Sequence, residues 1–191
     1  WISDNEGWIC SGFLGEIYHT TDGGQTFTTQ TTQYSTNAIY MLISLVGYAG
    51  GQQGRVYKTT DGGTNWVVHG SIGSTLLDID FPPSSDSGYC SGMTGKIYKI
   101  TPSGISSMYT GLNSHLYSIS LPNGLQGWAC GGSIIVHFNN GIWNTDQAYP
   151  SESYNAIHMD SETTGWAAGD NGIIIHTEDG ITWNSQVNPD S

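Results

Sequence analysis

Four carboxylates stand where a bond-cleaving pair could form: Asp78, Asp80, Asp160 and Glu162 lie in or just after short alternating apolar stretches. Glycoside hydrolysis needs two such groups facing each other across a cleft, about 5 to 10 Å apart, one as acid and one as base or nucleophile. A second set is a column of nitrogen side chains, His19, Lys58, Lys99, His137 and His176, at one place in five similar segments. Repeated buried polar groups are usually bonded, so these are expected to donate to a neighbouring turn carboxylate or to a carbonyl of the adjacent unit. A third set, Cys10, Cys90 and Cys130, sits two residues before a glycine, where the other segments carry Ala49 and Ala167. That position asks for a small buried side chain, which predicts packing rather than disulfides or zinc. No Ser-His-Asp ordering, phosphate loop or zinc motif occurs, and neither a metal nor a cofactor is expected.

These groups are carried on a repeat. Gly7-Trp8, Gly47-Tyr48, Gly88-Tyr89, Gly127-Trp128 and Gly165-Trp166 recur at intervals of 40, 41, 39 and 38 residues. Each pair after the first is preceded by a period-two stretch such as Leu77-Asp78-Ile79-Asp80-Phe81, and every pair is followed by a second one such as Val56-Tyr57-Lys58-Thr59. Alternation of this kind reads as strand, and the glycine spacing between strands reads as tight hairpins. Each unit is therefore a four-stranded antiparallel meander, and units of about 40 residues are the size of propeller blades. The expectation is one all-β domain over 1–191: a β-propeller of about five blades, with repeats at approximately 1–35, 36–74, 75–114, 115–153 and 154–191. Trp1 falls at the last core position of a first strand, so five units could close a small ring or belong to a propeller of seven or eight blades.

The turns carry a family resemblance. Thr20-Thr21-Asp22-Gly23-Gly24-Gln25-Thr26-Phe27 and Thr59-Thr60-Asp61-Gly62-Gly63-Thr64-Asn65-Trp66 resemble the Asp-box, the bacterial neuraminidase repeat. Thr177-Glu178-Asp179-Gly180-Ile181-Thr182-Trp183 is a third copy, one residue shorter. Pro102-Ser103-Gly104 and Asn139-Asn140-Gly141 stand where the other two units would carry it. Over essentially all 191 residues the chain is most similar to propellers of the photosystem II assembly factor type and their secreted bacterial relatives. Turn chemistry assigns Asp22, Asp61 and Asp179 a structural role, accepting backbone N–H groups of the glycine turn. The resemblance likewise implies that these turns lie away from the ligand face.

A sialidase site clamps its substrate carboxylate with three arginines, and Arg55 is the only arginine in the chain. Xyloglucan-cleaving Asp-box propellers remain the enzymatic alternative, and a photosystem assembly factor the other one implied by the resemblance. The leading expectation is a non-catalytic interaction or adhesion module. The first-strand position occupied by Tyr40, Asp80, Ser120 and His158 varies between units while its flanks stay apolar, which is where a repeat protein can encode recognition of a glycan or a protein. Tyr34, Tyr117, Tyr149 and Tyr154 could add aromatic surface near the connections. Arg55, Lys58, Lys96 and Lys99 hold all the permanent positive side-chain charge and suggest a small basic patch. A net charge of −12 argues against nucleic acid and anionic membranes as partners. No transmembrane segment is expected, and the Ser, Thr, Asn, Gly and aromatic richness resembles exported bacterial proteins, placed outside the cell, on its surface or in the periplasm.

Overall fold

The computed structural model describes residues 1–108, 112–148 and 153–187. The described strands form five antiparallel sheets in chain order. Blade 1 has three strands, β1 (Gly7–Cys10), β2 (Glu16–Thr20) and β3 (Thr28–Thr31). Blades 2 to 5 have four each. They are β4 (Thr36–Met41), β5 (Gly47–Gly51), β6 (Arg55–Thr59) and β7 (Val67–Ser71), then β8 (Leu76–Asp80), β9 (Gly88–Gly92), β10 (Ile97–Thr101) and β11 (Gly104–Met108). Blade 4 holds β12 (Ser118–Ser120), β13 (Gln126–Gly131), β14 (Ile134–Asn139) and β15 (Ile142–Ala148). Blade 5 holds β16 (Tyr154–Met159), β17 (Gly165–Gly169), β18 (Ile174–Thr177) and β19 (Trp183–Ser185). Every connection is between neighbours, so each sheet is a meander.

The core lies between blades rather than within one layer. Trp8 and Ile17 of blade 1 meet Ala49 of blade 2, and Trp128, Cys130 and Ile135 of blade 4 meet Ala167, Ile175 and Trp183 of blade 5. Two further clusters fill the joints between blades 2 and 3 and between blades 3 and 4. Alternate residues of each strand thus serve two joints, a forward face toward the next blade and a backward face toward the previous one.

The recurrent glycine of the Gly-aromatic pair has a steric cause. A side chain at the end of the preceding strand or just past it lies on that glycine, Met41 on Gly47, Phe81 on Gly88, Leu121 on Gly127 and Met159 on Gly165, and a Cβ there would clash. Trp1 covers Gly7 in the same way. In blades 2, 3 and 5 the hairpin after the aromatic strand ends on a left-handed glycine, Gly54, Gly95 or Gly172, preceded by a second left-handed residue, Gln53, Thr94 or Asn171.

The ladder corrects the cysteine equivalence. Cys10 and Cys130 pair with Ile17 and Ile135, whereas Cys90 pairs with Tyr98, the place taken elsewhere by Ile9, Ala49, Ala129 and Ala167. Cys90 therefore points to the opposite face of its blade. Counting back from the strand-ending glycine misled because Gly12 and Gly132 lie five residues after the repeat glycine, and Gly92 only four. All three cysteines are free thiols, and burial pushes their pKa values up.

Candidate ligand-binding cleft

The inner strands β8, β12 and β16 wall a cleft of about 540 Å³ that also receives Tyr40 from β4. Tyr40, Asp80, Ser120 and His158 all line it, and the ladder shows why: each lies directly across from the aromatic of its own blade, Tyr48, Tyr89, Trp128 or Trp166. Asp78 and Ser118 stand two residues earlier on the same faces, and Asp160 completes the acidic lining.

Most of these polar groups are already engaged across a blade joint. Tyr40 Oη donates to the Phe81 carbonyl at 3.1 Å, linking blade 2 to blade 3. Asp80 Oδ2 accepts the Leu121 N–H at 2.6 Å, and Asp78 Oδ2 accepts the Ile119 N–H at 3.0 Å and the Ser118 hydroxyl at 3.1 Å, linking blade 3 to blade 4. Ser120 Oγ accepts the Met159 N–H at 3.0 Å, linking blade 4 to blade 5. The variation from unit to unit thus has a structural cause: an oxygen acceptor meets an N–H in two joints, and a phenol meets a carbonyl in the third. His158 alone reaches no following blade, and it is exposed and paired with Asp160 at 3.2 Å.

Asp78 and Asp80 do not oppose one another as an acid and base pair would. Asp78 and Asp80 lie two residues apart on one face of β8, with each carboxylate also accepting the N–H of its own following residue, Ile79 or Phe81, at 2.9 Å. Burial raises the pKa of both above the ordinary 3.8, Asp80 to about 6, against the lowering effect of these N–H groups. Glu162 lies elsewhere. It bonds Asn123 and borders a second cleft of about 590 Å³ with Tyr89, Lys99 and Phe138.

The turn aspartates differ in detail from the expectation. Glycine N–H groups go to the buried threonine two residues before each aspartate: Thr20 Oγ1 accepts from Gly24, Thr59 Oγ1 from Gly63 and Thr177 Oγ1 from Gly180 at 2.8–2.9 Å. The aspartates instead close the rest of the turn. Asp22 accepts the Thr26 hydroxyl and N–H, Asp61 the Asn65 amide and N–H, and Asp179 the N–H groups of Ile181 and Thr182. Bonds to the Thr26 side chain and the Thr182 N–H hold Asp22 and Asp179 down to about 2, and the Asn65 side chain lowers Asp61 as well. Their oxygens are spent within the turns.

The nitrogen column also has another cause. Each member pairs in register with the aromatic of its blade, and the histidines stack on tryptophan: His19 on Trp8 at 4.1 Å, His137 on Trp128 at 4.4 Å and His176 on Trp166 at 4.3 Å between centroids. Lys58 extends over Tyr48 with its nitrogen 5.5 Å from the ring centre, a cation–π arrangement. His19 and His137 find acceptors on Glu6 and Gln126, not on turn aspartates. One signal in the sequence was available: units with Trp carry His at this place, and units with Tyr carry Lys.

Arg55 and Lys58 are three residues apart on β6 and so project from opposite faces, and Lys96 and Lys99 share that spacing, so the four do not present one basic surface. Tyr154 is buried in the joint between blades 4 and 5 rather than displayed, whereas Tyr117 is exposed beside His115 and the Tyr34 N–H donates to Tyr57 Oη. Tyr149 lies outside the described residues. Among the described residues no helix is long and apolar enough to cross a membrane, and no cluster of His, Cys, Asp and Glu could hold a metal ion.

No protein-family model matches the sequence, and no curated protein does. Solved structures do match. YCF48 bound to a D1 peptide superposes with a TM-score of 0.77 at 19% identity over 99% of this chain and 65% of that one. The WD40 propeller domain of Doa1 gives 0.77 at 10% over 98% and 65%. The GH74 enzyme of Niastella koreensis gives 0.78 at 14% over 95% and 36%. The chain thus spans just under two thirds of the first two and about a third of the last. Likeness at these identities establishes architecture alone: the chain is a β-propeller, the fold it shares with these structures.

Proposed function

We propose that this chain is a non-catalytic binding propeller whose inner cleft takes an extended protein segment bearing lysine or arginine. The observation that carries the reading is the state of the cleft carboxylates: Asp78 and Asp80 are held by the backbone of β12 and lie side by side on one strand, which suits an electrostatic wall better than an acid and base pair. Asp160 adds a third carboxylate, His158 is the only basic group in the lining, and Phe81, Pro83, Pro122 and Met159 supply apolar contacts. A net charge of −12 steers a cationic ligand toward such a cleft. The peptide held by the similar YCF48 propeller supports a protein ligand. We place the chain outside the cell on the resemblance of its Ser, Thr, Asn, Gly and aromatic richness to exported bacterial proteins.

The test is a fluorescence screen of ten-residue peptides containing one or two lysines or arginines flanked by leucine or methionine, beside neutral xyloglucan oligosaccharides whose products are followed by mass spectrometry. Peptide binding with intact oligosaccharides is expected. Cleavage of any oligosaccharide would replace this reading by glycoside hydrolysis with the raised carboxyl of Asp80 as acid, and oligosaccharide binding without cleavage would make the cleft a lectin site.

A further inference from the structure

The joints between blades are closed at their turn ends in different ways. Trp8 of blade 1 donates its indole N–H to the Gly62 carbonyl in the turn of blade 2 at 3.2 Å, and Trp128 of blade 4 donates to Gly180 of blade 5 at 2.9 Å. Blades 3 and 4 lack the Thr-x-Asp-Gly turn, and the blade before each presents tyrosine in place of tryptophan, Tyr48 or Tyr89. Between blades 2 and 3 another side chain makes up the difference: His69 of β7 bonds the Thr101 carbonyl at 2.8 Å and packs edge-on against Tyr48. Between blades 3 and 4 the turn is a two-residue hairpin loop, Asn140 and Gly141, both left-handed, and no hydrogen bond joins it to blade 3 among the described residues. The second cleft, of about 590 Å³, is the space left over. Its volume is that of a small-molecule site.

Its lining differs in kind from that of the inner cleft. Among the described residues Lys99 of β10 is its one cation, and no carboxylate pairs with that ammonium. Glu162, from the loop after β16, is its one carboxylate, an exposed group whose bond to Asn123 leaves further acceptor capacity. The Tyr89 hydroxyl has no hydrogen-bond partner among the described residues, whereas those of Tyr40, Tyr57 and Tyr98 are each bonded. Apolar contact comes from Met108, packed at the edge of the joint, and from Leu125, which is 73% exposed.

We infer that this cleft binds a free apolar α-amino acid, with its carboxylate on Lys99, its ammonium on Glu162 and its side chain against Met108 and Leu125. One cation and one anion on an otherwise uncharged lining match a zwitterion. A ligand bearing a carboxylate alone is repelled by the net charge of −12, and one bearing an ammonium alone is opposed by Lys99. A sugar ring would need an open aromatic face to stack on, and Tyr89 and Phe138 are only 7% and 6% exposed. The site stands apart from the inner cleft and does not rest on the reading given to it: Pro122 and Asp160 line the inner cleft, whereas Leu125 and Glu162 of the same two loops line this one.

Calorimetric titration of the full chain with leucine, methionine, glycine, leucinamide and N-acetylleucine tests this. Leucine and methionine are expected to bind, and glycine at least about tenfold more weakly, because it leaves the apolar contacts unused. Leucinamide lacks the carboxylate and N-acetylleucine the ammonium, so each is expected to bind at least about tenfold more weakly than leucine. Lys99→Gln, checked for native circular dichroism, is expected to bring leucine down to the affinity of leucinamide while keeping the discrimination against N-acetylleucine. Glu162→Gln, which keeps an oxygen for Asn123, is expected to do the reverse. No binding of leucine or methionine up to about 10 mM overturns the inference, as does a preference for leucine over leucinamide that survives Lys99→Gln. Displacement of bound leucine by the lysine peptides would put the amino acid in the inner cleft and overturn it as well.

Discussion

Trp128→Ala is expected to cost about 3–5 kcal/mol of stability, the range for removing a large aromatic from a packed core. Trp128 is wholly buried, stacks on His137, donates its N–H to the Gly180 carbonyl and sits in the cluster that joins blades 4 and 5. Truncation therefore opens a cavity, strips the imidazole of its stacking partner and leaves the turn carbonyl without its donor. Trp166→Ala, the same residue type at the same register position, is expected to cost about 1 kcal/mol or less, because the ring packs on His176 but is 42% exposed. Urea unfolding of the two variants checks this. Equal losses would show that the blade joint is not what stabilises the repeat.

The second large effect is a stability that falls, rather than rises, between about pH 4 and pH 6. Asp80 has its folded pKa raised from 3.8 to about 6, chiefly by burial, so in that window the folded chain holds a proton that the unfolded chain has released. Stability from this group is complete below its unfolded pKa and is lost as pH rises through the folded one, by about 3 kcal/mol at 1.36 kcal/mol per unit. Asp78 acts in the same direction. Asp22 and Asp179 act oppositely: their pKa values are lowered to about 2, so their contribution is present above about pH 4 and disappears as the acid range is entered. A thermal midpoint highest near pH 4 is therefore expected. Asp80→Asn keeps an oxygen for the Leu121 N–H and removes the charge, so it should flatten the decline between pH 4 and 6 in a melting series. An unchanged slope in that variant would contradict the assignment.

Architecture was legible because period-two alternation and the Gly-aromatic interval are set by local geometry, and the strands fall where those patterns lie. Tyr40, Asp80, Ser120 and His158 could be brought to one surface from the sequence for the same reason: one register position in every unit points one way. What those residues do there was less legible. The hydrogen bonds of Asp80 to Leu121 and of Ser120 to Met159 run between blades, and repeat alignment by itself does not say which neighbour a side chain meets. The same limit explains His19, His137 and His176, whose partner is the tryptophan across the ladder instead of the turn carboxylate nearby in sequence. The turn chemistry was half visible. Three aspartates were correctly placed in turns, but the threonine hydroxyls that take the glycine N–H groups went unnoticed because a buried Thr at a strand end looks like ordinary β-propensity.

The binding reading is tested most directly by calorimetric titration of the chain with the tightest peptide of the screen at low and moderate salt, beside Asp160→Asn. Asp160 is exposed, among the described residues pairs its side chain with His158, and can lose its charge without loosening a blade joint. Affinity is expected to fall as salt rises and to drop about three- to fivefold in the variant, the scale of one exposed charge. An affinity indifferent to both salt and Asp160→Asn would contradict the acidic cleft as the site of recognition.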